Sequence, residues 1–242
     1  DAGGVVPSTF RIARQLLDRI DDSATGVTKS PVFNAPIPEE RLTQARQACD
    51  ILGDVVWKRF PWQSCGGAHE FTLPTRKDPV DVILNRTWRA SLSVVGADGL
   101  PPTNAAGNVL RPYTALKLSL RIPPTVDGAE AAAEVKRLVE HNTPYNAQVS
   151  FAADSAATGW NAPAFAPWLT VALDCASMHY FGRPAAYMGE GGTIPFMGML
   201  GAKFPGAQML VTGVLGPKSN AHGLTSSCTS IMRRKLPRLR RW

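Results

Sequence analysis

From residue 113 to 122 the chain alternates residue by residue. Leu116, Leu118, Leu120 and Ile122 fall on one side, and Ala115, Lys117, Ser119 and Arg121 on the other. A period of two belongs to a strand, so this segment is predicted to lay one face on a core and to carry Arg121 on the other. Pro123-Pro124 offer no N–H to a ladder and end the strand. Asp127 with Glu130 three residues on then forms a capping-box-like helix start, continued by Val135, Leu138 and Val139 at helical spacing. A half-buried strand running straight into an amphipathic helix constrains the region to a layered fold, helix on sheet.

The flanking sequence fits that layer. Phe10, Ala13, Leu16, Leu17 and Ile20 lie three and four apart, giving a helix over 8–20 with Ser8 as N-cap. Residues 21–38 hold Asp, Ser, Thr, Gly and prolines and read as a loop. Leu42, Ala45, Cys49, Leu52 and Val56 predict one helix over 39–58, followed by an irregular stretch with Trp62, Cys65 and His69. Strands are predicted at 80–84 and 89–95, with a turn-rich 96–107 after them and a returning strand at 148–152. The Ala, Gly and Pro content of 154–167 suits a linker. Beyond it, 168–180 and 194–203 are predicted helices, 189–193 a glycine-rich turn and 209–215 a buried strand.

With 242 residues and 44% hydrophobic content, the chain suffices for one or two compact domains. It contains no run of 18 uncharged apolar residues, and Asp1-Ala2-Gly3-Gly4 has neither the basic start nor the apolar run of a leader, so a soluble, cytoplasmic protein is expected. Cys49, Cys65, Cys175 and Cys228 are scattered without a C-x-x-C pair and are expected as free thiols. The net charge of +7 is concentrated at one end. Arg233, Arg234, Lys235, Arg238, Arg240 and Arg241 account for all but one of those charges, so the folded part is near neutral.

Two stretches could carry chemistry. In Gly189-Glu190-Gly191-Gly192-Thr193-Ile194-Pro195 the glycines and a threonine lead into a helix, where unpaired N–H groups, a hydroxyl and the helix dipole can hold a carboxylate or phosphate. An ordinary glycine-rich turn is the other reading of the same residues. In Gly216-Pro217-Lys218-Ser219-Asn220-Ala221-His222-Gly223, a loop after an apolar strand presents His222 as a metal ligand or acid–base group, or simply as a solvated loop histidine.

Taken together and in this order, the stretches resemble the co-catalytic zinc peptidase family that includes carnosine dipeptidases, aminoacylases and glutamate carboxypeptidases. Glu190-Gly191-Gly192-Thr193-Ile194-Pro195 is similar to that family's Glu-Gly-Gly-(Ser/Thr)-Ile-Pro loop, and Ser219-Asn220-Ala221-His222-Gly223 to its late histidine motif. Leu118-Ser119-Leu120-Arg121-Ile122-Pro123 resembles the lid strand that supplies an arginine, and Gly107-Asn108-Val109-Leu110 the loop before it. The resemblance implies an α/β and α+β organisation: a lid, or dimerisation, domain of α/β sandwich type over 1–153 with an insertion at about 21–85, the C-terminal part of an α/β catalytic domain over 154–223, and a divergent basic tail over 224–242. It implies a hydrolase of dipeptides or acyl amino acids with two zinc ions, a glutamate base and a lid that forms a homodimer. It gives His222 as a zinc ligand, Gly191, Gly192 and Thr193 as the grip on the substrate's terminal carboxylate, Glu190 as facing its polar end, and Arg121 and Asn108 as lid contacts. An arginine suits that task because its planar fork matches a carboxylate.

The family's other metal ligands and its catalytic base have no counterpart in this sequence, and His69, His141 and His179 fall in no spacing that replaces them. The expectation is therefore a truncated metallopeptidase that does not retain zinc alone, with a non-catalytic dimerisation module as the alternative. After Gly223 the family pattern gives way to the arginine-rich tail, as a shifted reading frame or unusual splice would produce. Clustered arginines and Trp242 could touch phosphates, but the neutral remainder does not suggest a nucleic-acid or membrane partner.

Overall fold

The computed structural model describes residues 2–60, 62, 72–190 and 195–213. The chain divides into two compact units, Asp1–Asn161 with Met188–Gly198, and Ala162–Tyr187 with Met199–Trp242.

In the first unit, α1 (Thr9–Leu17) starts where the Ser8 hydroxyl accepts the Arg11 N–H at 3.2 Å, the expected N-cap. The single helix predicted over 39–58 is instead two, α2 (Glu39–Leu52) and α3 (Val55–Lys58). Gly53 breaks it at φ 52° and ψ −139°, a conformation open to glycine but not to a continuing helix. The predicted strand at 80–84 lies inside a helix, α4 (Pro79–Thr87). Asp78 caps it, accepting the Val80 N–H at 3.0 Å, and Pro79 sits in the first turn where no donor is required. Ile83, Leu84 and Trp88 from α4 and its end join Ala45, Ala48 and Val56 in one buried cluster. The apolar run satisfied the helical period because it buries at i and i+4, not on alternate residues.

Strand β1 (Ser91–Asp98) pairs antiparallel with β2 (Ala115–Arg121), Ser91 opposite Arg121 and Asp98 opposite Ala115. On β2 the inward Leu116, Leu118 and Leu120 alternate with exposed Ala115, Lys117, Ser119 and Arg121, as the sequence implies. A bulge between Val94 and Gly96 shifts the register. Helix α5 (Gly128–Glu140) begins where the Asp127 carboxylate accepts the Glu130 N–H at 2.9 Å. Its Ala131, Val135 and Val139 meet Ile12 and Leu16 of α1, together with Ile20, Phe33 and the inner leucines of the hairpin. Ile20 and Phe33 are fully buried, and each such side chain contributes about 1.5–3 kcal/mol. Arg19 fastens the layer, donating to the carbonyls of Leu138, His141 and Asn142 at 2.9, 2.7 and 2.6 Å, where α5 leaves its last acceptors unpaired.

The predicted strand at 148–152 does not form a ladder. Its inward residues Val149 and Phe151 do pack on the core, but the Phe151 N–H is taken by the Glu140 carboxylate at 2.7 Å rather than by a strand. Alternation here reports a buried side, not a ladder partner. The segment that follows seats closely on the start of α5: the Gly128 N–H donates to Thr158 Oγ1 at 3.0 Å, and a Cβ on Gly159 would lie 2.6 Å from Pro124 Cα.

In the second unit, α6 (Pro167–Phe181) ends at Gly182, which takes the left-handed conformation of a C-cap. Among its described residues Ala176 is the one buried apolar side chain, while Trp168, Val171 and Met178 are exposed. Helix α7 (Pro195–Lys203) matches the helix predicted over 194–203. The strand predicted over 209–215 is absent from 209–213, where Leu210 and Val211 are exposed, and its last two residues lie outside the described ones. No described helix is long and apolar enough to cross a membrane.

Candidate functional site

Arg121 closes β2 on its exposed face, one residue before the strand gives way to buried Pro123. The hairpin fixes where this guanidinium sits relative to the start of β1, because Ser91 is its cross-strand partner. Just upstream of Ser91, α4 carries Arg86, which the sequence did not single out. Arg86 Nη2 donates to Glu190 Oε2 at 3.2 Å, with 20% of the arginine side chain exposed against 68% of the glutamate. Arg86 Nε is buried and has no acceptor.

The electrostatics tie these residues together. Burial pulls the Arg86 guanidinium below the usual arginine range, Glu190 opposes that pull, and the positive charges of Arg59 and Arg121 add to it. Of the sequence-predicted residues, Glu190 pairs with Arg86, and Arg121 acts on the same guanidinium through its charge. The backbone supports the arrangement: a Cβ on Gly189 would lie 3.1 Å from Thr87 Cβ, so the residue before Glu190 rests against α4. Between Gln44, Ile83, Thr87, Trp88, Met188 and Gly189 remains a cavity of only about 10 Å³, room for a single water at most.

Asn108 is placed elsewhere. It is exposed in the loop that closes the Asp98–Ala115 end of the hairpin, the opposite end from Arg121. That loop is pinned by Gly99 at φ 84°, where a Cβ would come within 2.4 Å of the Tyr113 carbonyl oxygen, and by the Arg111 Nε–H donating to Gly99 O at 3.1 Å. Gly191, Gly192, Thr193 and His222 lie outside the described residues. Arg86 was missed because 80–84 reads as a strand; the Asp78-Pro79 pair is the signal that α4 begins there and that Arg86 leaves the helix beside its buried Ile83 face.

Among the described residues no three His, Cys, Asp or Glu side chains converge as metal ligands. His141 ends α5 in the open, His179 stacks edge-on to Tyr180 on α6, and Cys49 and Cys175 are free thiols. The described donors do not fit a zinc site.

No family model matches the chain, and no curated protein matches it in sequence. Its backbone does match solved metallopeptidases. Human carnosine dipeptidase 1 aligns with a TM-score of 0.56 at 17% identity, over 83% of this chain and 41% of that one. The di-peptidase Dug1p from Saccharomyces cerevisiae aligns at 0.55 and 19%, over 83% and 40%. The M20 family metallo-carboxypeptidase Sso-CP2 from Sulfolobus solfataricus aligns at 0.59 and 14%, over 93% and 49%. This is a likeness of fold. The chain spans less than half the length of each of these structures.

Proposed function

We infer that the chain belongs to a metal-dependent hydrolase of dipeptides or related amide-linked amino acids, and supplies its grip on the substrate's anionic groups. The observation that carries this reading is the fold shared with two dipeptidases and a metallo-carboxypeptidase, in which Glu190 pairs with Arg86 at 3.2 Å and the charge of Arg121 acts on the same guanidinium. In this reading Gly191, Gly192 and Thr193 hold the terminal carboxylate through backbone N–H groups and a hydroxyl, with Arg121 approaching from the hairpin. His222 is read as a zinc ligand. Zinc bound in such a hydrolase polarises the scissile carbonyl and activates water. Arg121 orients the substrate by pairing with an anionic group that is not consumed in the reaction.

Calorimetric titration of the full chain with a dipeptide and with its C-terminal amide tests this reading. The free carboxylate is expected to bind about tenfold more tightly than the amide, and Arg121→Gln to remove most of that difference. Equal binding of the two, or no binding of either, overturns it.

A second reading, a non-catalytic dimerisation module, is favoured by one observation: Val94 and Val95 on β1 are 47% and 60% exposed. In this reading the hairpin pairs with its copy in a homodimer. Sedimentation equilibrium is expected to show a dimer that Val95→Lys weakens; a monomer at all concentrations sinks the idea.

A further inference from the structure

Helix α6 carries two apolar stripes. Leu169, Leu173, Ala176 and Tyr180, spaced four, three and four apart, are half-buried or buried, and one such stripe is enough to hold a helix on its own unit. Trp168, Val171, Cys175 and Met178 form the other, spaced three, four and three apart. Trp168, Val171 and Met178 are 66%, 61% and 53% exposed, and Cys175 is an exposed free thiol. The spacing of this outer stripe is the seven-residue repeat of a seam between two helices, where each side chain fills a hole on the facing helix. Asp174 borders the seam on one side and His179 on the other. In two parallel helices held in register, the residue just before one layer faces the residue five positions further along the other helix. For α6 that sets Asp174 of one copy opposite His179 of the other, and by symmetry again on the far side. A carboxylate acceptor thus meets an imidazole donor, so the border is complementary to itself. Asp174 Oδ1 accepts the Ala185 N–H at 3.0 Å, which orients the carboxylate and leaves Oδ2 for the imidazole. An antiparallel pair would instead set acid against acid.

We propose that the outer stripe of α6 is a self-association face: two copies of the chain pair in parallel through Trp168, Val171, Cys175 and Met178, and Asp174 with His179 fixes their direction and register. This goes beyond the hydrolase reading and does not rest on it, and the face is separate from the hairpin of the second reading. Two heptads make a short seam. The pair is therefore expected to form at concentrations on the order of 100 µM and to come apart in dilute solution, where α6 lies open.

Cys175 reports the register, since parallel pairing sets it opposite its own copy, at the separation of about 4.4–6.8 Å between Cα atoms that a disulfide needs. The concentrated full chain is treated with diamide, which accepts the two electrons and two protons that a pair of thiols gives up on joining. A disulfide-linked dimer is expected, which Cys175→Ser removes, Val171→Glu lowers about tenfold and Val95→Lys leaves unchanged. Sedimentation equilibrium under reducing conditions reads the border. There His179→Asp, which faces Asp174 with a second acid, is expected to weaken the dimer about threefold, and His179→Lys to tighten it by a similar factor. All the substituted residues but Cys175 are read by sign or size at exposed positions, so the variants keep the fold. A monomer at every concentration, a dimer without the Cys175 link, or His179→Asp and His179→Lys acting alike overturns the proposal.

Discussion

Ser30, Glu134 and Arg137 show how one carboxylate can join a loop to a helix. The Arg137 guanidinium donates to both Glu134 oxygens at 2.7 Å, and the Ser30 hydroxyl donates to Oε1 at 2.8 Å. The arginine's bonds hold the Glu134 carboxyl below its ordinary value of 4.5; burial works against them, and the serine bond adds to them. A carboxyl whose pKa falls on folding stabilises the folded state above 4.5, and that contribution is lost as the pH drops through the lowered value. Glu134→Gln is therefore expected to melt below the wild type at neutral pH, with the gap closing in acid. Melting curves that run parallel across the whole range would contradict the linkage. The Ser8 and Asp127 caps and the position of Arg121 were legible beforehand, because all three are local patterns. The Ser30–Glu134 and Arg86–Glu190 pairs each join residues 104 positions apart, and no periodicity within a window can reveal them.

At the scale of elements, the alternating strand and the capped helix after it were read correctly because side-chain period and cap chemistry agreed. Where they disagreed the reading failed. The run at 80–84 is short and apolar, which strand and buried helix share, and only the Asp78-Pro79 start separates them. The helix over 39–58 had the right period throughout, yet Gly53 interrupts it. Nothing lies within 4 Å of the position a Gly53 Cβ would occupy, so any cost of substitution there comes from the backbone alone. Gly53→Ala is expected to lower the unfolding free energy by about 1–3 kcal/mol in urea. A neutral result would mean that α2 and α3 tolerate a continuous helix.

The two units differ in how much apolar surface they hide. The first contains two buried clusters, built from α1, α5 and the hairpin and from α2, α3 and α4. In the second, among the described residues, α6 buries Ala176 while showing Trp168, Val171 and Met178 to solvent. Backbone hydrogen bonds with little apolar cover open at low free energy. Amide exchange followed by mass spectrometry is thus expected to be faster in α6 than in α5; equal protection would show that α6 is covered in solution. The lack of a ladder at 148–152 and 209–213 belongs to this scale too, since a strand depends on a neighbour that its own residues do not encode. The missed step between Val94 and Gly96 sets a limit on what β1 can recruit. A foreign peptide zipping along that rim meets regular rungs only from Ser91 to Val94, after which its own side chains fall out of phase. The kink thus works as a stop for runaway stacking of one molecule on the next, while leaving room for a short, finite handshake.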